Sequence, residues 1–429
     1  MTSATAQRTT HHHRLTNGIT LLLTENPAAD IIATRLFVRT GSCWEPRTQA
    51  GLCHLLAAIM TKGTGTRSSL EIAEQIESVG ARLNADTATD YFVMSLKTVS
   101  ADFQSILALA GQLLRSPSLP ESELELERRV TLQAIRSQQE QPFSVAFDQL
   151  RKATYGEHPY GYSTLGVEET VAQLTRSDLE AFHQTYFRPD QLIISIAGRI
   201  TLTEAIEQVE QVFGDWLPPQ TPPVSPHLPP ISFNPQTCIQ PQETQQSIVM
   251  LGYLADSVES QDYAALKLIN TYLGNGLSSR LFVELREKRG LAYDVSSFYP
   301  TRLDQSQFVV YMGTAPENTT IAVEGLQTET ERLTQTQLTP EELQVAKNKL
   351  LGQYALGKQT NSQLAQIYGW YETLNLGLEF DQQFQTAIEQ VTAEECLTVA
   401  QRYFTTPYLS LLGPETAVNG FVAQSASQK

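Results

Sequence analysis

Residues 51–64 read GLCHLLAAIMTKGT, and this stretch decides how the rest of the chain is interpreted. Across residues 49–62 the apolar side chains recur at helical spacing, and Gly63 follows as a helix-ending residue. The pattern predicts one amphipathic helix. His54 lies one turn before Ala58, so these two positions share a face of that helix.

The helix has the spacing of an H-x-x-E-H zinc peptidase motif, in which two histidines one turn apart bind one metal ion. In this chain only His54 remains, because Ala57 stands at the glutamate position and Ala58 at the second histidine position. A catalytic zinc needs three protein ligands, an open coordination position and a general base. Alanine supplies none of these. We therefore predict that the chain does not cleave peptides on its own.

This helix resembles that of the pitrilysin and mitochondrial-processing-peptidase family, the inverzincins. The resemblance implies a third zinc ligand, a glutamate, at the position that Ala134 occupies in this chain. Glu127 survives two turns earlier on the same helix face. The resemblance therefore implies no metal ligand set here, only degenerate positions at His54, Ala57, Ala58 and Ala134.

In the second half of the chain, residues 273–295 read LGNGLSSRLFVELREKRGLAYDV. The stretch predicts a helix from about Ser278 to Arg289, a Gly290 that ends it, and a strand from Leu291. It resembles the same family closely.

The resemblance implies that Arg286 and Tyr293 act opposite the zinc, where they hydrogen-bond the substrate backbone and the oxygen that gains charge during cleavage. The alternative is structural, with Arg286 capping its helix and Tyr293 in the core. The turn that holds Gly274 and Gly276 resembles a flexible substrate-contacting loop, although any helix–helix turn has this composition.

Asn84 and Ala85 resemble the family's edge strand, which pairs with an extended peptide by β-addition. The alternative is a sheet edge without a binding role. Both residues are expected to bind substrate only if the first interpretation holds.

The chain reads as two similar halves joined by a linker. Nine of the 21 prolines fall within residues 218–241, which predicts a Pro-rich linker between domains at 1–217 and 242–429. Three segments of the first half have counterparts in the second half. The helix starts at 119–124 and 174–179 correspond to those at 338–343 and 391–396, and the apolar strand at 192–198 corresponds to that at 409–413. The fold class predicted is α+β, with two homologous domains, each a mixed sheet covered by helices. The resemblance implies that together they form one half of a clamshell.

The composition excludes several classes of protein. A formal net charge of −16 argues against a nucleic-acid partner and suits attraction of basic peptides, although acidity also serves solubility. No apolar run is long enough for a membrane span, and the polar N-terminus lacks a signal-peptide core. Four cysteines without C-x-x-C spacing favour a reducing compartment, so a cytoplasmic location is expected. The run His11-His12-His13 could bind a metal weakly, but three adjacent histidines are not expected to converge on one ion.

These observations predict a non-catalytic subunit of a heterodimeric zinc-dependent peptidase. The expected partner is a homologous subunit with an intact H-x-x-E-H motif, which would hold the zinc, and the substrate is an unfolded peptide. No cofactor is expected in this chain. Arg286 and Tyr293 are the predicted catalytic residues, complementing the partner's site. The alternative is a non-enzymatic peptide-binding or scaffold protein, possible also as a homodimer.

Overall fold

The computed structural model describes residues 9–427 of the chain, and the predicted polar N-terminus up to Arg8 lies outside the described residues. The strands divide between two sheets. The first sheet contains β1 (Thr10–Arg14), β2 (Thr20–Glu25), β3 (Ile32–Val38), β4 (Arg82–Thr87), β5 (Phe92–Thr98) and β6 (Leu192–Gly198). The second contains β7 (Thr237–Pro241), β8 (Ser247–Ala255), β9 (Ala292–Phe298), β10 (Ser306–Thr314) and β11 (Tyr408–Gly413).

Helices lie between and after these strands. In the first half of the chain they are α1 (Leu52–Met60), α2 (Ser69–Glu77), α3 (Phe103–Arg115), α4 (Glu121–Glu140), α5 (Pro142–Tyr155), α6 (Glu168–Gln173), α7 (Arg176–Tyr186) and α8 (Leu202–Phe213). In the second half they are α9 (Tyr263–Gly274), α10 (Thr319–Gln335), α11 (Pro340–Leu356), α12 (Asn361–Thr373), α13 (Phe380–Gln390), α14 (Ala393–Tyr403) and α15 (Glu415–Ser427). Among residues 9–427, each helix is too short or too polar to cross a lipid bilayer.

The predicted repeat is confirmed. The helix starts expected near residues 121 and 340 begin α4 and α11, those expected near 176 and 393 begin α7 and α14, and the two apolar strands are β6 and β11. Each sheet is mixed, with strand orders β1-β2-β6-β3-β5-β4 and β7-β11-β8-β10-β9. In both, one pair of strands is parallel and the other pairs are antiparallel. The predicted α+β class with two helix-covered mixed sheets is therefore correct.

The chain divides into two compact units, each with one sheet. Unit 1 comprises Met1–Ile135, Ser163–Leu228 and Leu356–Phe380; unit 2 comprises Arg136–Tyr162, Pro229–Ala355 and Asp381–Lys429. The predicted halves differ from these units, because each half contributes one helix to the other half's sheet. Helix α5 belongs to unit 2 and helix α12 to unit 1.

The exchanged helices are held by close packing. In unit 1, α12 packs on β3 and β6, and a Cβ added at Gly369 would lie 2.4 Å from the Phe37 ring. In unit 2, α5 packs on β8 and β11, where Ala146 is buried and its carbonyl accepts a hydrogen bond from Ser410 Oγ at 2.8 Å. Sequence periodicity shows that such a helix has an apolar face but not which sheet it covers.

The predicted Pro-rich linker is shorter than expected. Residues 218–236 form neither helix nor strand, but the last five residues of the predicted stretch form β7. Within the described part of the chain, this strand lies at the edge of the second sheet and pairs only with β11. An edge position tolerates proline, because one side of an edge strand needs no ladder hydrogen bonds.

Candidate functional site

The start of α1 is determined by two residues upstream of the degenerate motif. Gly51 has φ +97°, and a Cβ there would lie 2.6 Å from the Leu165 carbonyl oxygen, so only glycine fits. The carboxyl of Glu45 accepts hydrogen bonds from the backbone N–H of Gly51 at 2.9 Å and of Cys53 at 2.6 Å. Glu45 thus replaces a capping side chain that Gly51 lacks.

The helix carries the motif positions as the sequence predicts. His54 and Ala58 are half-buried on α1, Ala57 is only 3% exposed, and Ala134 is half-buried on α4. The local geometry of a metal helix is present, but its ligands are not. Across residues 9–427 no group of three His, Cys, Asp or Glu side chains is placed to bind a metal ion. The residues present therefore do not fit a catalytic zinc.

The surroundings of His54 favour its neutral imidazole form. Burial lowers its pKa, and the negative charges of Asp86 and Glu127 only partly oppose that effect. Both carboxylates are close enough to influence it, so β4, which carries Asp86, and α4, which carries Glu127, converge on α1. His54 is the one ligand of the motif that this chain keeps, and a single imidazole is not enough to hold a metal ion.

Glu127 already has a cation as its partner. The Lys62 ammonium lies 3.3 Å from a carboxylate oxygen of Glu127, and the Glu127 side chain is mostly buried. Lys62 lies just beyond the end of α1 at Met60, so the segment that follows the helix brings its ammonium group to α4. The sequence interpretation missed this ion pair, because its two residues are far apart in the chain.

Asn84 and Ala85 lie on β4, which is an edge strand of the first sheet and, among residues 9–427, pairs with β5 alone. Asn84 is exposed and Ala85 is half-buried. Helix α1 packs against this strand. The structure therefore brings the predicted peptide-pairing edge next to the degenerate motif. Whether the edge binds substrate stays a prediction.

The segment that carries Arg286 differs from the predicted α-helix. Phe282–Glu287 forms a π-helix, in which the Lys288 N–H donates to the Val283 carbonyl five residues earlier. Gly290 has φ +61°, as expected for the residue that ends this segment. A widened turn is not visible in a sequence period, and π-helical turns occur frequently at functional sites.

Arg286 and Tyr293 are both exposed, and the Tyr293 side chain is 74% exposed. The alternative that Tyr293 belongs to the core is therefore wrong. The guanidinium of Arg286 lies 4.9 Å from the centroid of the Phe282 ring. The π-helical segment packs against β9, the strand that carries Tyr293, so both residues are presented by adjoining elements of unit 2.

The turn with Gly274 and Gly276 is hydrogen-bonded to neighbouring elements of unit 2. Ser296 Oγ donates to the Gly274 carbonyl at 2.7 Å, and the Lys349 ammonium donates to the Asn275 carbonyl. A Cβ added at Gly274 would lie 2.0 Å from the Ser297 backbone nitrogen. The glycine therefore allows a close approach to β9, and the substrate role of the turn stays a prediction.

Three other histidines have structural partners. His11 faces Glu25 at 3.6 Å and His12 faces Glu372 at 3.7 Å, so neighbouring residues of β1 contact different carboxylates. His183 Nε2 lies 2.8 Å from the Leu114 carbonyl oxygen. The prediction that the histidine run does not converge is consistent with these contacts.

The chain is similar to known proteins in both sequence and fold. The family described as Insulinase (Peptidase family M16) matches residues 20–168, and the Peptidase M16 inactive domain matches residues 173–350. The uncharacterized zinc protease YmxG of Bacillus subtilis is 29% identical over 93% of this chain and 97% of its own length. An uncharacterized zinc protease of Mycobacterium bovis is 30% identical over 93% of this chain and 92% of its own length.

Two solved structures share the fold. The peptidase M16 inactive domain from Pseudomonas fluorescens has a TM-score of 0.88 at 24% identity and covers 94% of this chain and 98% of its own. A protease from Helicobacter pylori has a TM-score of 0.88 at 22% identity, with coverage of 95% and 99%. The chain therefore belongs to peptidase family M16, the pitrilysin-type family that its motifs resemble, as a member with a degenerate zinc motif.

Proposed function

We propose that this protein is the non-catalytic subunit of a zinc-dependent peptidase. Its own motif lacks two ligands and the base, while Arg286 and Tyr293 are retained. The observation that carries the proposal is the 74% exposure of the Tyr293 ring on β9. A tyrosine with no role in the core is free to donate a hydrogen bond to something outside this chain.

The partner is a homologous subunit that retains H-x-x-E-H. It supplies the zinc and the general base, which this chain lacks. Arg286 and Tyr293 supply strong hydrogen-bond donors where negative charge develops on the substrate oxygen. The relatives named zinc proteases support a peptidase context for this chain.

The test is reconstitution of cleavage. The purified chain is mixed with a motif-bearing homologue, and cleavage of an unfolded peptide is followed. Arg286→Ala and Tyr293→Phe should each lower kcat by about 100- to 1000-fold, the usual cost of removing one donor from an oxyanion site. Arg289→Ala is the matched control, because Arg289 is an exposed arginine just beyond the same π-helical segment.

Two results would contradict the proposal. If both variants left the complex as active as the unaltered chain, the pair would have no catalytic role. If the chain bound peptide and a homologue without any cleavage, it would be a binding or scaffold protein instead. Native mass measured before and after mixing separates a heterodimer from a homodimer.

A further inference from the structure

A cavity of about 690 Å³ in unit 1 has no part in the proposed reaction. It lies between α3, the C-terminal end of α8 and the loop that follows α1. The short side chains of Ala101, Ser105 and Ala108 leave room for it on the exposed side of α3. The cavity is therefore an opening on the surface of unit 1 and not an unfilled part of its core.

The charge in the wall of this cavity is positive. Arg115 lines it, and none of the lining residues that the structure describes is aspartate or glutamate, although the chain carries a net charge of −16. A second arginine, Arg67, donates to Gln112 Oε1 at 2.9 Å, and Gln112 also belongs to the lining. A ligand that complements this wall carries negative charge.

The guanidinium of Arg115 is held in place by the end of α8 and the residues that follow it. Its Nη1 donates to the Val212 carbonyl and to Asp215 Oδ1, both at 2.7 Å, and its Cζ lies 5.8 Å from the centroid of the Trp216 ring. In the described part of the chain, Nε and Nη2 of Arg115 have no protein acceptor. The N–H groups on these two nitrogens are left for a ligand.

Two neighbouring side chains also keep unused donors. Because a guanidinium only donates, the bond from Arg67 fixes the orientation of the Gln112 amide and leaves its NH₂ group to a ligand. The Thr64 hydroxyl oxygen accepts the backbone N–H of Thr66 at 3.3 Å and of Arg67 at 3.0 Å, so its own proton is available. Thr64 is only 8% exposed. At both side chains the acceptor atom is used within the chain and the donor is not.

We propose that this cavity binds the phosphate group of a small organic phosphate. The oxygens of a phosphate can accept from Arg115, Gln112 and Thr64 in different directions, whereas a carboxylate presents its oxygens in one plane. The planar guanidinium forms paired hydrogen bonds with phosphate. The cavity is several times larger than one phosphate group, so it also has room for the organic part of the ligand. Binding here requires neither zinc nor a second subunit.

Asp215 opposes this ligand. Its side chain is 77% exposed and accepts from the same guanidinium, so it cancels part of the charge of Arg115. An exposed ion pair of this kind is weak, because solvent and salt screen it. A phosphate can therefore bind at Nε and Nη2 of Arg115 while Asp215 stays in place. Removal of the aspartate charge should strengthen the binding.

The experiment titrates the full chain with phenyl phosphate at constant ionic strength and measures affinity by calorimetry. In an isotope-labelled sample, the Nε–H resonance of Arg115, assigned by its absence in Arg115→Gln, should shift saturably in NMR spectra. Sodium chloride at the same ionic strength should leave this resonance unchanged. Phenyl phosphate should bind more tightly than inorganic phosphate, because the cavity has room for the ring, and more tightly than benzoate, which carries a carboxylate.

Variants locate the site. Arg115→Gln should lower the affinity for phenyl phosphate at least about tenfold, the usual worth of a hydrogen bond to a charged group. Asp215→Asn, at an exposed side chain, should raise it about threefold, as expected for loss of an exposed ion pair. Arg176→Gln is the matched control, since Arg176 pairs with Glu180 on α7 of the same unit, outside the cavity, and should change nothing. Circular dichroism confirms that each variant is folded.

Several results would overturn the inference. Chloride that shifts the Arg115 resonance as phenyl phosphate does, or full affinity in Arg115→Gln, would show that no phosphate site exists at this arginine. A lower affinity in Asp215→Asn would mean that the aspartate belongs to the binding site. Benzoate that binds as tightly as phenyl phosphate would remove the assignment to phosphate, and inorganic phosphate that does so would remove the organic part.

Discussion

The stability of unit 1 should depend on the protonation of one carboxyl group, that of Glu45. This group accepts the backbone N–H groups of Gly51 and Cys53 at the start of α1. Burial raises its pKa from an ordinary 4.5 to about 7, although the two hydrogen bonds act in the opposite direction. The folded protein therefore keeps a proton on Glu45 that the unfolded chain has already released.

The sign and size of the effect follow from this difference. Between pH 4.5 and about 7 the folded state binds one more proton at Glu45 than the unfolded state does, so the free energy of unfolding falls as pH rises. The free energy of unfolding falls by about 1.4 kcal/mol per pH unit, and by about 3 kcal/mol over the interval from 4.5 to about 7. The loss is complete above the folded-state pKa.

The assay is urea unfolding of the wild type and of Glu45→Gln across this pH interval. The three tryptophans, Trp44, Trp216 and Trp370, all belong to unit 1, so tryptophan fluorescence reports on that unit. The amide of the variant does not titrate. It also accepts from the two N–H groups less well than the carboxyl does, which changes the free energy of unfolding by an amount that does not vary with pH. The stability of the wild type relative to the variant should fall by about 3 kcal/mol as pH rises.

Glu74→Gln is the control, because Glu74 is an exposed glutamate of the same unit. Its difference from the wild type should show no comparable change with pH. A flat difference for Glu45→Gln would refute the reasoning. It would mean that the two backbone hydrogen bonds outweigh burial and that Glu45 is ionised in the folded protein.

Three further predictions concern other sites. Burial lowers the pKa of Lys267 to about 8, so the folded state favours the neutral amine. The free energy of unfolding should therefore rise by about 3 kcal/mol as pH rises from 8 to 10.5. Lys267→Met should lack this rise when unfolding is followed by circular dichroism. Gly274→Ala should destabilise unit 2 because its Cβ would lie 2.0 Å from the Ser297 nitrogen, whereas Gly352→Ala, in open space on α11, should stabilise it by about 1 kcal/mol in the same assay. The purified chain dialysed against zinc should retain far less than one equivalent in elemental analysis; a stoichiometric, chelator-sensitive metal would contradict the site described.

Much of the fold was predictable from local pattern. The degenerate motif helix, the paired helix starts and the apolar strands β6 and β11 all appear where periodicity and helix-start signals indicate them. These signals work because side-chain spacing reports directly on the face that a helix or strand buries. The edge position of β7 also agrees with its proline content.

Parts of the site were not predictable in the same way. The π-helix over Phe282–Glu287 looks like an ordinary helix in sequence, because a widened turn has no compositional signal. The hydrogen bonds that join the turn at Gly274 to β9 and α11 also have no signal in the sequence. The ion pair between Lys62 and Glu127 joins residues far apart in the chain.

The amino-acid sequence is enough to establish the chemical deficit, because alanine at 57, 58 and 134 cannot bind zinc in any conformation. It is also enough to establish the duplicated α+β plan. The exchange of α5 and α12 between sheets and the exposure of Tyr293 depend on which surfaces meet in three dimensions. Such contacts join residues that are distant in the chain, and a local pattern records only the existence of an apolar face and not its partner.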